Sequence, residues 1–514
     1  MKWKGFFAAI LLSFTLVLAG NVSAKTLTIN QGTASILLLD PQVERSSTAI
    51  NFFFSSMFDT LLMNGKKMEI EPMLATSWES SEGGTVWTLQ LRKGVKFHDG
   101  TPFDAEAVKF NFERIMNPQT KAVRGTYFSS MIKSVEVPDA STIRFRLKFP
   151  YAPFAAALTM PDTAIVSPSA VNKYGADFAN HPIGTGPFIL KDWKREKHIL
   201  LERNNNYWKT IPKVEEIRIT QVREESTIYA ALKSGEIDVE IIPPAEFLKD
   251  FAADPNLTVV QGGPKLFYEY FGFNNERPPF GDKKVRQAVS HAINMEAIVK
   301  HVDMEYGKFI CQPMGPTVWG YDPSVKCIEY NPEKAKKMLA ELGWKPGPDG
   351  ILEKDGKKFV IEAKIIDRQH RRYEAIQNDL KKVGIDLKVI KLEWGAFLAA
   401  VTKGEYDIFN LGRDYKSGDA DVELYSLFHS SNIPTINLPR YRNPEVDKLL
   451  ERQRAEMDKG KRLKLIHNII QIIMDDSPII PSLIRMTNTV MNKKVKNFYI
   501  YPDDRIDLLN VSLE

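Results

Sequence analysis

The sequence predicts an α/β protein of two or three domains. Three observations lead there. The chain has 514 residues, too many for one ordinary hydrophobic core. From about 269 to 480, amphipathic helices alternate with short apolar strands, the rhythm of a mostly parallel, buried sheet. From about 67 to 181, alternating strands surround one strong helix, which reads as a smaller α+β unit.

The elements follow in order. "MKWK", the apolar run "GFFAAILLSFTLVLAG" and "NVSA" read as a secretory signal cleaved after Ala24. "LAGN" has Asn21 where a lipid-anchored protein needs a cysteine, so a free secreted protein is expected. Without Lys2 and Lys4 the formal net charge falls from +5 to +3, which predicts neither a nucleic-acid nor a membrane-surface partner. "TLTIN" is a strand, and "STAINFFFSSMFDTLL" reads as a helix. "TVWTLQLRKGVKF" and "TIRFRLK" alternate as strands. Between them "FDAEAVKFNFERIM" is a helix capped by Asp104, with Val108, Phe112 and Ile115 on one face.

"HPIGTGPFIL" breaks that pattern, and the strands "HILLERN" and "VEEIRITQV" follow. A helix, "ESTIYAALKSG", ends at Gly235, and "IDVEII" is a short strand. "GGPKLFYEYFGFNN" carries aromatics on both faces, as a strand running between lobes requires. Asp282 caps the next helix; Asn331, Pro332 and Gly343 start and stop the one after it. "KFVIEAKII", "IDLKVIKL" and "EYDIFNL" are strands interleaved with the helices "RRYEAIQNDLKKVG" and "WGAFLAAVTKG". The helix "KRLKLIHNIIQIIMDD" precedes the strand-like "SPIIPSLIRMTNTVM". Cys311 and Cys327 are the only cysteines; in an oxidising compartment they read as a disulfide, the alternative being two buried thiols.

Chemistry is sparse. There is no HExxH, GxSxG, P-loop or dinucleotide fingerprint, and the histidines are scattered. One charged stretch stands at a strand end, "LGRDYKSGDADVELY", Leu411 to Tyr425. Asp419, Asp421 and Glu423 have the first, third and fifth spacing of a calcium loop, but Leu424 and Ser430 stand where that loop needs Gly and Glu. No cofactor and no metal is expected. The cluster follows a strand, at the edge where open α/β sheets collect ligands.

The segments "LRKGVKFHDGTPFDAEAVKFNFER", "PIGTGPFIL", "RNNNYW", "ALKSGEIDV", "PPFGDKKVRQAVSHAIN", "YNPEKAKKMLAELGW", "EWGAFL" and "LYSLFHSSN", in this order, resemble the large solute-binding proteins of peptide- and nickel-type ABC importers, solute-binding protein family 5. The resemblance spans essentially the whole mature chain. It implies a three-domain periplasmic binding protein, two lobes joined by a hinge with a ligand cleft between them. Domain I is then discontinuous, 25–66, 182–268 and 481–514; domain II is 67–181; domain III is 269–480. It also implies a periplasmic monomer that captures a small molecule or short peptide by lobe closure, delivers it to an ABC permease and is not an enzyme. Nickel complexes, haem, opines and oligosaccharides are the alternative ligands, and a periplasmic sensor or chaperone is the alternative role.

Peptide binders of this family often carry a "GWTGDNGDPDN"-like segment. Laid on "GRDYKSGDADV", Gly412, Gly418, Asp419 and Asp421 match, but Arg413 replaces the pocket tryptophan and Lys416 replaces the aspartate that grips an α-ammonium. A lysine there favours an anionic ligand; a two-residue shift would restore Asp414 as the amine anchor. The resemblance further implies ligand contacts from Thr33, Ala34 and Ser35, largely by backbone, and from Tyr270, Arg371, Trp394, Arg413, Lys416 and Asp419. Tyr268 is assigned to packing. Arg371 falls near the position where dipeptide binders hold a ligand carboxylate and is preferred; its neighbour Arg372 cannot share that face.

Overall fold

The computed structural model describes residues 26–31, 38–45, 54–303 and 307–514. The signal segment and Thr33, Ala34 and Ser35 lie outside the described residues. Among the described residues no helix is long and apolar enough to cross a membrane.

One large mixed sheet organises the molecule. Its strands, in chain order, are β1 (Thr26–Asn30), β2 (Phe188–Lys194), β3 (His198–Arg203), β4 (Glu216–Thr220), β5 (Val239–Glu240), β6 (Leu257–Phe273), β7 (Gly307–Phe309), β8 (Val360–Ile365), β9 (Asp386–Lys391), β10 (Ile408–Asp414) and β11 (Ile479–Asn492). They lie side by side as β9-β8-β10-β6-β11-β5-β1-β4-β3-β2, with β7 against β11. The parallel strands expected between about 269 and 480 are present, within a sheet that is mixed as a whole. β1 is parallel to β4 and β5, and β8 to β9 and β10, but β6 and β11 run antiparallel to each other and to their outer neighbours. The reason is topological: the chain crosses between the lobes once in each direction, through these two strands.

β6 has 17 residues and β11 has 14. At one end they pair beside β5, at the other beside β10, and the ladder shifts register between Gln261 and Tyr268. Such shifts bend a ribbon locally. Gly262 sits in that stretch because an added Cβ would lie 2.9 Å from Thr487 Cβ.

Separate apolar cores flank the ribbon. Leu27, Ile29, Ile217, Ile219 and Val239 pack together on one side of it. Phe271, Val285, Ile361, Tyr373 and Leu380 form a core on the other. A third unit is a four-stranded antiparallel sheet, Ala75–Ser81, Val86–Leu91, Thr142–Leu147 and Ile132–Asp139 in spatial order. Across it lies a helix, α1 (Ala105–Met116), capped by Asp104 through a 2.9 Å bond from Ala107 N. Phe112 of α1 meets Phe145 edge-on at 4.8 Å.

The helix expected over "STAINFFFSSMFDTLL" is cut short. Helix is present at 54–57, and Leu62–Asn64 is a strand paired with Ile70–Pro72. Asp59 explains the break. Its buried carboxylate accepts hydrogen bonds from Thr185 Oγ1 at 2.8 Å, Trp208 Nε1 at 2.9 Å and Tyr207 Oη at 3.2 Å. Gly186 lets the backbones meet there, since a Cβ would stand 2.4 Å from Met57 C. The motifs "PIGTGPF" and "RNNNYW" therefore converge on one carboxylate.

Cys311 and Cys327 are joined, with Cα atoms 4.5 Å apart. Replacing both with alanine is expected to cost roughly 3 kcal/mol in the chain-entropy account, read as a lowered urea midpoint. An unchanged midpoint would show that the loop is held by its packing alone.

Candidate functional site

The site grows from β6 and β10. Their register sets Tyr268 opposite Arg413, Glu269 opposite Gly412 and Tyr270 opposite Leu411. Alternation then sends Tyr268 and Tyr270 to one face and Glu269 to the other. Tyr268 lies 5.9 Å from both Tyr270 and Tyr415, ring to ring.

A helix, α2 (His370–Lys382), follows β8, and α3 (Trp394–Lys403) follows β9. After β10 the chain turns through Tyr415–Gly418 into α4 (Ala420–Phe428), whose N-cap is Asp419. α5 (Pro444–Ala455) and α6 (Lys459–Asp476) pack behind it. The three acids with calcium-like spacing do not converge; each meets its own arginine. Asp419 takes two 2.6 Å bonds from Arg462. Asp421 accepts from Arg454 at 2.8 and 3.1 Å. Glu423 pairs with Arg413 at 3.2 Å and accepts from Tyr268 Oη at 2.5 Å. Burial alone would lower the Arg413 pKa, but Glu423 outweighs it and holds the guanidinium charged, above its ordinary range.

Lys416 differs from these. It is 7% exposed and has φ +42°, in the left-handed region that side chains rarely adopt. Among the described residues it has no ion pair; the Asp414 carboxyl, which burial pushes up, is lowered first by Lys416. Tyr270 is fully buried with its Oη unpartnered among the described residues, and burial raises its phenol.

The opposite face of β6 holds a second cluster. Arg372 reaches Glu269 at 2.6 Å, Asp303 at 2.5 Å and Asn410 at 2.8 Å. Arg485 approaches Glu269 at 2.9 Å. Burial pushes the Glu269 carboxyl up, but Arg372 and Arg485 outweigh it and hold it at about 2. Arg372 thus faces inward while Arg371 is exposed on α2. Trp394, at the start of α3, is half exposed and stacks on Phe397 with centroids 5.8 Å apart.

The structure therefore brings Tyr270 and Arg413 together on neighbouring strands and places Lys416 in the turn that follows β10. It commits Asp419 to Arg462 and leaves Arg371 and Trp394 on exposed helix faces. Sequence reasoning missed the partners Glu423, Arg454 and Arg462, and the role of Tyr268 as a donor to Glu423. Glu423 had a signal, since it lies in the same charged stretch. Arg454 and Arg462 had none, because their contacts span more than 30 residues.

The two lobes touch across this face. Tyr151, from the four-stranded unit, donates to Asp421 at 2.7 Å, and Ala152 N donates to Arg454 O at 2.7 Å. Tyr127 Oη lies 2.8 Å from Tyr151 Oη. Met68 packs in the core of Tyr268 and Tyr415, and Met457 packs against the core of Leu89 and Phe112.

Residues 69–435 match the family model described as bacterial extracellular solute-binding proteins, family 5 Middle. Heme-binding protein A of Haemophilus influenzae is 33% identical, the match covering 84% of this chain and 82% of that protein. Glutathione-binding protein GsiB of Salmonella paratyphi A is 30% identical over 98% of this chain and 96% of its own. Among solved structures, the periplasmic binding protein DppA from Helicobacter pylori, in complex with the peptide STSA, superposes with a TM-score of 0.79 at 29% identity, covering 95% of this chain and 98% of that one. With the two-lobe architecture and the continuous match through both lobes, the chain belongs to the family 5 bacterial extracellular solute-binding proteins.

Proposed function

We propose that the protein is the periplasmic capture component of an ABC importer for a peptide-like solute that carries an acidic group. It is exported by the N-terminal signal, works as a free monomer and performs no chemistry on its ligand. Domain I comprises 25–66, 182–268 and 481–514, domain II 67–181 and domain III 269–480, with β6 and β11 as the hinge. The separate cores and the two-strand ribbon support that division.

One observation carries the ligand class. Lys416 is buried just after β10 in a strained conformation; among the described residues it closes no ion pair, and the buried Asp414 carboxyl is the group it acts on electrostatically. A largely buried cation that closes no ion pair gains from a well-placed carboxylate. A ligand carboxylate supplies that partner when the lobes close. Arg413 carries less of the reading than its sequence position suggests, because Glu423 already neutralises it. Strain of this kind collects at ligand clamps. The resemblance to a glutathione-binding protein fits, since glutathione is an acidic peptide. Moving closure from 1:99 to 99:1 takes about 5.5 kcal/mol of differential affinity, within reach of one buried ion pair plus hydrogen bonds.

Native purification of the mature protein, denaturation and mass spectrometry of the released solute tests this directly. An acidic peptide is expected. A cationic peptide would overturn the anion assignment, and haem or a nickel complex would transfer the protein to the alternative ligands. Lys416→Asp is expected to weaken binding of the dipeptide Ala-Glu at least tenfold at low salt, by calorimetry. Unchanged affinity removes Lys416 from the site.

A further inference from the structure

The carboxyl edge of the sheet at β1 holds a side chain that the folded chain leaves unanswered. Gln31 follows β1, and its backbone N–H bonds Thr220 O at 2.9 Å. Its carboxamide is fully buried, yet among the described residues neither Nε2 nor Oε1 has a hydrogen-bond partner. Gln221 stands next to it: Asn30 pairs with Thr220 in the parallel register, so the two glutamines follow at neighbouring positions. Gln221 is 9% exposed, and its Oε1 is also without a partner among the described residues.

The adjacent amide shows that the fold can satisfy such groups here. Asn30 accepts from Thr220 Oγ1 and Val222 N, both at 2.9 Å, and donates to Val222 O at 3.0 Å and Glu240 Oε2 at 2.6 Å. One residue on, the Gln31 carboxamide has no partner among the described residues. Leaving a buried amide unsatisfied costs more than replacing it by an apolar residue of the same shape, so an orphan of this kind asks for an explanation. Its place supplies one, because ligands of open α/β sheets collect at the carboxyl ends of parallel strands.

We propose that Gln31, with Gln221 beside it, is an amide-reading subsite. Gln31 Oε1 accepts from, and Nε2 donates to, a ligand group that carries both an N–H and a C=O, as a peptide bond does. The inference rests on the peptide-like ligand proposed above and adds a side-chain reader on the lobe opposite Lys416. Sequence reasoning placed this lobe's contacts in the backbone of Thr33 to Ser35 and passed over the glutamine.

The test uses the full mature protein, the dipeptide Ala-Glu and the matching ester in which oxygen replaces the linking N–H. Wild type is expected to bind the amide at least tenfold more tightly than the ester. In Gln31→Leu that preference is expected to fall to less than twofold, with the melting temperature of the ligand-free protein unchanged or higher. Gln31→Glu, which keeps the size and loses the donor, serves as the second variant and is expected to bind Ala-Glu at least tenfold more weakly. If the variants keep the wild-type preference, or if Gln31→Leu melts lower with unchanged affinity, Gln31 is a structural, water-bound residue and the subsite is overturned. A wild type that binds neither compound overturns the peptide reading itself, and the subsite with it.

Discussion

Asp421→Ala is expected to lower the unfolding free energy by roughly 3–5 kcal/mol, the range for breaking a buried ion pair by removing one partner. Asp421 is fully buried at the start of α4. Burial raises its pKa, but Arg454, Arg462 and the bond from Tyr151 together outweigh burial and hold it below the ordinary carboxylate range. It also accepts from Gln453 Nε2 and from Tyr151 Oη. Removing it strands the Arg454 guanidinium, which lies over the Tyr425 ring at 3.2 Å and the Tyr151 ring at 5.4 Å. Urea unfolding at pH 7 measures the loss. The double variant Asp421→Leu/Arg454→Met should recover much of it, because an apolar pair of similar volume replaces the ion pair without leaving a charge behind. A loss under about 1 kcal/mol in Asp421→Ala would mean that the network is worth no more than a surface pair.

The consequence reaches function because Tyr151 belongs to the four-stranded unit and Asp421 to the other lobe. Tyr151→Phe removes one hydrogen bond to a charged group, expected to be worth about 1.5–3 kcal/mol, while leaving Asp421 and Arg454 paired. A contact made only when the lobes meet stabilises closure. Its loss is expected to increase the radius of gyration of the ligand-free protein in solution scattering and to weaken ligand binding in proportion.

The legible parts of the fold were those with local causes. The Asp104 cap with its Val108, Phe112 and Ile115 stripe, and the cap and stop of Pro332–Glu341, follow from residues a few positions apart. The joining strand announced itself by aromatics on both faces, and Tyr270 and Phe271 do face different cores. What failed were inferences that needed partners far along the chain. Asp59 ends a helix because Thr185, Tyr207 and Trp208 claim its carboxylate, more than 120 residues away. Between Arg371 and Arg372 local spacing gives no choice, and the preference for Arg371 rests on the family resemblance alone. Glu269 and Asp303 turn Arg372 inward, and neither has a fixed spacing from it. The acids of "SGDADVELY" were visible as a cluster, but their arginines on α5 and α6 were not, so the stretch read as ligand wall more than as the internally neutralised joint that most of it is.

The second large effect lies in how stability depends on pH, where two buried groups oppose each other. Burial raises the Glu240 carboxyl from 4.5 to about 7, against hydrogen bonds from Asn30 and the backbone N–H groups of Ile242 and Ile241. A raised carboxyl favours the folded state while it is protonated. Its contribution is complete below about pH 4.5 and is lost as pH rises through 7, a change of about 3 kcal/mol. Burial lowers the His98 imidazole from 6.5 to about 4, against its bond to Gly186 O. A depressed imidazole favours the folded state while it is neutral, so its contribution is complete above 6.5 and is lost, again by about 3 kcal/mol, as pH falls to 4. Between pH 4.5 and 6.5 the two slopes have opposite sign and similar size, so they largely cancel in the wild type. Glu240→Gln removes one of them. Its stability relative to wild type is expected to rise by about 3 kcal/mol between pH 4.5 and 7, whatever its absolute value. His98→Gln is expected to change relative to wild type in the opposite direction, gaining toward pH 4. Urea midpoints at half-unit pH intervals measure both differences, and because each is taken against the wild type, groups common to both proteins drop out. Parallel wild-type and Glu240→Gln profiles would show that Glu240 is ionised in the folded protein at an ordinary pKa, and that Asn30 and the backbone amides compensate its burial in full.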